Sequence, residues 1–300
     1  MKDLEIVLAK PPIESWPDVR WWLAEGFHTD ETLKKDIAML YEAGFGAAEF
    51  LAMDEHGIDH GKYGWGSEEW THDTHTVIRE TTARGMGASF TSGTNWSNAN
   101  LITITPDDRA AAKELDFTVE SLKGGESRSG PLYKAPLKMP NVNVQELVAV
   151  VVAKKTGSAD DKVFLDKNSF QLLTGNVREE TLDWTAPEGE WELFAFWLHG
   201  TGQTATPSVA VSYTINYIDR YGIDALTDYW DREVLTPELR ENIRKNGRVQ
   251  MYMDSLELST YGKGGQFWGY HFIEEFKKRR GYDPSLYLPF IVKKEVFMGG

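Results

Sequence analysis

Hydrophobic and polar positions follow two rhythms along this chain. The stretch "VRWWLAEG" from Val19 reads as a strand, and "DETLKKDIAMLYEAG" follows at helical spacing. Leu33, Ile37, Leu40 and Tyr41 recur three and four apart, and Gly44 ends the helix. "GAAEFLAM" predicts a second strand, followed by the Gly- and His-bearing loop "DEHGIDHGKYGWG". "SEEWTHDTHTVIRETTARG" predicts a second helix, with Ser67 as N-cap, acids in its first turn and Gly85 at its end. "MGASFTSG" predicts a third strand. This order implies parallel βα units, hence an α/β barrel or an open sheet.

From about Asn100 to Val211 the period shortens. "LDFTVESL", "QELVAVVVAKK", "SFQLL" and "GEWELFAFWLHG" are β-like, and "KGGESRSG", "KTGSADD" and "APEGE" separate them as turns. An all-β subdomain, sandwich-like, is expected here after the third strand. The helical rhythm resumes in "YIDRYGIDALTDYWDREVLTPELRENIRKNG", where Pro237 marks a break or a new start. "RVQMYMDSLEL" predicts a fourth strand and "WGYHFIEEFKKRRGY" a fourth helix, apolar at Tyr270, Phe272 and Phe276 and ended by Gly281. "DPSLYLPFIVKKEVFMGG" would begin the approach to a fifth strand. The expected organisation is therefore residues 1–99 as the first βα units, 100–211 as the inserted β-rich subdomain, and 212–300 as further βα units. A closed barrel needs eight strands and about four are legible, so the fold expected is the first half of a (β/α) barrel whose C-terminal part lies elsewhere.

Composition narrows the partners. The 300 residues are 41% hydrophobic and 26% charged with a formal net charge of −14, which argues against nucleic acid or an anionic membrane. No apolar run approaches the length of a membrane span. The absence of cysteine removes disulfides, thiolate zinc sites and thiol nucleophiles. The opening "MKDLEIVLAKPP" has no signal-peptide h-region. Among eleven tryptophans, Trp21, Trp22, Trp65, Trp70, Trp96 and Trp268 sit near loops, where they would either face sugar rings or fill the core.

Parallel sheets gather chemistry at the carboxyl ends of their strands. Those ends carry Glu25, then Glu49, Asp54 and Glu55, then Thr94, Asn95 and Trp96, and finally Asp254 and Glu257. A carboxylate-rich rim flanked by Trp, with no Ser-His-Asp order, fits glycoside hydrolysis, which needs two carboxyl groups on opposite faces of a sugar. Asp254 and Glu257 are three apart, so they face opposite ways along a strand. Asp254 is then an orienting or binding group and Glu257 the one that reaches the ligand. Glu49 lies inside an apolar strand and needs either a partner or a ligand. His56 and His60 have a zinc-like spacing without HExxH, and His72 and His75, with Asp73 between them, read as solvated helix surface. An oxygen-ligand cation such as calcium would draw on Asp54, Glu55, Asp59, Asn95, Asp254 and Glu257, although no EF-hand pattern occurs. No GxxxxGK[ST], GxGxxG after a strand, or GxSxG elbow is present.

Several stretches resemble glycoside hydrolase family 106, the α-L-rhamnosidases. They are "VRWWLAEG", "LKKDIAMLYEAGFGAAEF", "QELVAVVVAKK" with "TAPEGEWELFAFWLHGTGQTATP", and "YMDSLEL" with "FIEEFKKRRGYDPSLYLP". The resemblance implies a (β/α)8 barrel that hydrolyses terminal α-L-rhamnose with inversion, calcium as associated ion, and a secreted or periplasmic setting, with a cytoplasmic one left open. It implies Glu257 as general acid, Asp254 as its companion, and an acidic position at Asp219, while the base would come from later strands. Trp22, Glu25, Glu49, Asp54, Asn95, Trp96 and Asp219 would line the substrate. Leu23, Ala24, Glu25 and Leu256 depart from the family pattern. A non-catalytic carbohydrate-binding protein, or a catalytically incomplete piece of such an enzyme, is the alternative.

Overall fold

Two hydroxyl caps start the first helices. Thr29 Oγ1 accepts from the Thr32 N–H before helix α1 (Asp30–Glu42), and Ser67 Oγ accepts from the Trp70 N–H before helix α2 (Glu68–Ala83). Both helices carry two acids in the first turn, complementing the helix dipole. In this computed structural model the chain is described over residues 8–53, 56–92, 99–160, 162–204, 211–253, 256–292 and 296–299. Strands β1 (Asp18–Ala24), β2 (Ala47–Met53) and β3 (Gly87–Thr91) alternate with these helices and pair in parallel. A fourth parallel strand, Val249–Tyr252, pairs with β3. The predicted strand–helix order is therefore present, although the fourth strand stops at Tyr252, well short of Leu258.

The chain divides into two units of mixed α/β structure. One comprises residues 1–104, 204–215 and 223–258, and the other residues 105–203, 216–222 and 259–300. In the first, Trp21, Phe50 and Phe90 share one face of the parallel sheet, with ring centroids 5.6 and 6.2 Å apart in succession. Trp65 and Trp70 stack edge-on at 4.5 Å and pack with Tyr229 and Trp230. Gly66 serves this cluster: its φ is +76°, and a Cβ there would collide with the Tyr229 hydroxyl. Trp21, Trp65, Trp70 and Trp268 are all under a tenth exposed, so four of the six loop-proximal tryptophans are core. Trp22 is 39% exposed, and Trp96 lies outside the described residues.

The second unit is built on strands β4 (Lys113–Lys123), β5 (Gln145–Ala159) and β6 (Glu190–Gly200), with β6 antiparallel to both others. Phe194, Phe196 and Leu198 belong to one core, and Trp191, Leu193, Ala195 and Trp197 to another. A sheet buried on both faces explains why "WELFAFWLHG" is apolar almost without alternation. Four sequence expectations differ here. "SFQLL" contributes only the two-residue strand Gln171–Leu172, while "SRSGP", read as a turn, is a strand paired with Thr181–Thr185. The helix expected from Trp268 begins at Phe272, because Gln266–Trp268 is a strand on β4 whose Trp268 joins the core. The approach to a fifth barrel strand, Val296–Gly299, instead pairs in parallel with Lys162–Asp166 of the β-rich unit. Residues 259–300 thus complete the β-rich unit rather than extend the βα series, since Trp268, Leu288, Val292 and Val296 cover one face of its sheet.

A buried charge cluster holds the backbone entering this segment. Glu114 accepts from the N–H groups of Tyr261 and Gly262, Asp116 Oδ1 from Gly264, and Gln203 Oε1 from Ser259. His199 lies 3.9 Å from both carboxylates, and Glu114, Asp116 and His199 are 1%, 0% and 5% exposed. Burial pushes the Glu114 carboxyl up. Burial pulls His199 down, but Asp116, the Gly200 carbonyl and Glu114 outweigh it and hold the imidazole above its usual value. A raised folded value means stabilisation that is complete below the unfolded pKa of about 6.5 and is lost as pH rises through the raised value. The loss of unfolding free energy caused by His199→Gln is therefore expected to be largest near pH 6 and to shrink toward pH 9 in urea titrations. A pH-independent difference would contradict a cationic His199.

Candidate active site

The parallel sheet brings one polar row together. Its register sets Arg20 beside Glu49, Glu49 beside Ser89, and Ser89 beside Gln250, on the face opposite Trp21, Phe50 and Phe90. Arg20 Nε lies 3.3 Å from Glu49 Oε2, and the Glu49 side chain is 10% exposed. The guanidinium also sits over the Trp22 ring at 5.4 Å and the Tyr252 ring at 4.5 Å. Tyr252 and Arg20 belong to strands three places apart. In a flat sheet that separation is about 14 Å, beyond an arginine's reach to a neighbouring ring. The sheet is therefore curled, with the polar row on its concave side.

A cavity of about 270 Å³ opens on this side, lined by Asp18, Arg20, Glu49, Ser89, Gln250 and Tyr252 among others. A larger one of about 360 Å³ lies on the apolar side, lined by Phe90, Leu226, Trp230, Ile243, Met251 and Met253. The smaller cavity is the better candidate for a sugar, because it adds the Arg20–Glu49 charge pair to the hydrogen-bonding and aromatic groups that both cavities present.

The predicted site residues do not all come together. Trp22 and Glu49 belong to the concave face, where Glu49 meets a protein partner in Arg20. Glu25 follows β1, is 1% exposed, and extends the ladder through its N–H to the Met53 carbonyl at 2.8 Å. Glu257 is exposed and lies beyond the fourth strand in irregular chain. Asp54, Asn95, Trp96 and Asp254 lie outside the described residues. Asp219 falls in the β-rich unit, and its carboxylate accepts from the His271 N–H at 3.0 Å, His271 Nδ1 at 2.9 Å and the Tyr221 N–H at 3.1 Å. Burial would raise the Asp219 carboxyl, but these donors outweigh it and hold it below its usual value. That geometry ties residues 219–221 to the start of the Phe272–Arg280 helix.

Arg20 and Tyr252 were not singled out from the sequence. The signal was present: Arg20 and Trp22 share a parity in "VRWW", and Gln250 and Tyr252 share one in "VQMY". Without the register, nothing joined them to Glu49. The helix-surface reading of His72 and His75 also changes. His72 is exposed, but Asp73 is 8% exposed and bonded to His28, and His75 meets Thr236 Oγ1 at 3.0 Å.

Among the described residues, the acids and histidines that converge closely enough to hold an ion are Asp30, His72 and Asp73. None of these three is among the groups expected to hold calcium, and of those Asp54, Glu55, Asn95 and Asp254 lie outside the described residues. No described helix is long and apolar enough to cross a membrane.

Replacing Arg20 by Met is expected to lower stability by about 1–2 kcal/mol, discounted for the partial exposure of the pair. Adding Glu49→Gln should recover most of that loss in the same unfolding assay. No loss in the single variant would contradict the pairing.

Comparison with known proteins follows the same lines. No curated protein matches the chain. The solved "Structure of Rhamnosidase from Novosphingobium sp. PP1Y" is similar in fold, with a TM-score of 0.73 at 16% identity over 96% of this chain. This chain spans 42% of that one. A family model described as alpha-L-rhamnosidase, Glyco_hydro_106, matches residues 151–297. Residues 151–297, just under half of the chain, are thus similar in sequence to the alpha-L-rhamnosidase family.

Proposed function

We propose that this chain is part of a rhamnosidase-type glycoside hydrolase, acting on terminal α-L-rhamnose in oligosaccharides or glycosides. The observation that carries the reading is the family match over residues 151–297, which runs through the "DSLE" stretch at 254–257 and into "EEFKKRRGY". The concave polar face adds physical support, since Trp22, Arg20 and Tyr252 give a flat surface edged by hydrogen-bonding groups. On this reading the parallel sheet is part of a barrel and the β-rich unit an elaboration of it. An extracellular or periplasmic setting would accompany the activity.

Glu257 is assigned as general acid. Its exposed position beyond the strand leaves it accessible to a glycosidic oxygen. Inversion requires a second carboxylate roughly 6.5–9.5 Å away to activate water. We place that group in the portion of the structural neighbour that has no counterpart here. In the departures from the family pattern, Glu25 is buried at the end of β1 and Leu256 is 53% exposed beside Glu257, so Leu256 is the change that would alter sugar contact.

In protein carrying the whole catalytic module, Glu257→Gln should reduce turnover of an unactivated α-L-rhamnoside by about 10²–10⁴-fold. Binding of the same glycoside, followed by calorimetry, should be retained. Turnover within about twofold of the unsubstituted protein would reject the acid assignment. Binding without any release by the unsubstituted protein would favour a carbohydrate-binding protein instead.

A further inference from the structure

The turn that leaves β1 and the first two helices bring four ligand-type side chains together. His28 has a nearly buried ring, with Nδ1 3.1 Å from the Ala24 carbonyl oxygen and Nε2 2.7 Å from Asp73 Oδ2. The ring is thus held at both nitrogens, against a backbone carbonyl on one side and a carboxylate on the other. Asp73 is therefore an oriented carboxylate with one oxygen engaged. It is 8% exposed, and its other oxygen, Oδ1, accepts no hydrogen bond from the described residues.

Beside it, Asp30 at the start of α1 accepts from His72 Nε2 at 2.8 Å, and Lys34 Nζ lies 3.7 Å from its second oxygen. One ligand atom from each of Asp30, His72 and Asp73 lies within 4.8 Å of the others. These atoms come from two separate helices, and the most buried of them is the one that His28 fixes.

We propose that Asp30, His72 and Asp73 form a binding site for a divalent transition-metal ion, zinc being the reference case, that ties α1 to α2. The donor set is two carboxylate oxygens and one imidazole nitrogen, which suits zinc with solvent in the remaining position. Tetrahedral zinc at about 2.0–2.2 Å from such donors needs them roughly 3.3–3.6 Å apart, a contraction of about 1.2–1.5 Å from the 4.8 Å limit on their spacing here. The Asp30 and His72 side chains are 32% and 51% exposed, so they can make that movement, while Asp73 remains fixed. The His28–Asp73 bond serves as the outer hydrogen bond that orients a ligating carboxylate. Two carboxylates offset the ion's charge, against which Lys34 beside Asp30 acts. Calcium and magnesium are disfavoured because they prefer oxygen ligands throughout. The site does not depend on the glycosidase reading.

The test uses the full chain, without a histidine tag, dialysed against chelator and titrated with zinc chloride alone in a calorimeter. Calcium chloride is titrated in parallel. One zinc ion per chain is expected, bound at least tenfold more weakly by His72→Ala and by Asp30→Asn. His56→Ala, an exposed histidine outside the cluster, should bind as the unsubstituted chain does. Zinc should raise the thermal unfolding midpoint of the unsubstituted chain but leave that of His72→Ala unchanged. Circular dichroism of both alanine variants confirms that they fold. The proposal is overturned if zinc does not bind, if His72→Ala binds it equally well, or if calcium binds this site and zinc does not.

Discussion

The concave face of the parallel sheet depends on one side chain that satisfies two demands. Arg20 balances Glu49, a carboxylate 8% exposed inside an otherwise apolar strand, and its guanidinium also spans to Tyr252 on the far edge. A buried carboxylate without a countercharge is costly, so β1 and β2 have to sit in the register that places Arg20 opposite Glu49. A one-residue slip of β1 would move Trp21 to the polar side and put Arg20 beside Phe50, on the opposite face from Glu49. Electrostatic need and aromatic packing thus select the same register, and that register sets out the polar row from which a sugar site can be made.

The β-rich unit relies on a different arrangement. Its central sheet is covered on both faces, and the covering of one face includes residues far along the chain, Trp268 to Val296. Glu114, Asp116 and Gln203 bind backbone N–H groups of residues 259–264 directly, so the return of the chain to this unit is fixed by buried polar groups as well as by apolar burial. Removing one acid would leave a histidine charge without its balance, which is more damaging than the net worth of the cluster suggests.

Much of the first unit was legible in the sequence because its signals are local. The cap at Ser67, helical spacing of Leu33 and Ile37, and strands alternating with helices define elements without reference to distant residues. What escaped was non-local. Val296–Gly299 has the composition of a barrel strand but pairs with Lys162–Asp166, and Trp268 looks helical until its place in the core of the other unit is seen. The candidate site was legible only in part for the same reason. Glu49 stands out as a carboxylate in an apolar run, yet its partner Arg20 is twenty-nine positions away and is identified by register alone. Asp219 reads as an acid near a helix start, but its carboxylate is occupied by His271 and Tyr221.

The curvature that makes a concave polar face rests on Arg20 reaching Tyr252, and a double-mutant cycle between these residues measures that reach. Unfolding free energies of Arg20→Met, Tyr252→Leu and the double variant should give a coupling of about 0.5–2 kcal/mol, the range of a cation–π contact. Coupling indistinguishable from zero would mean that the two side chains do not meet, and that the sheet does not enclose the site described above.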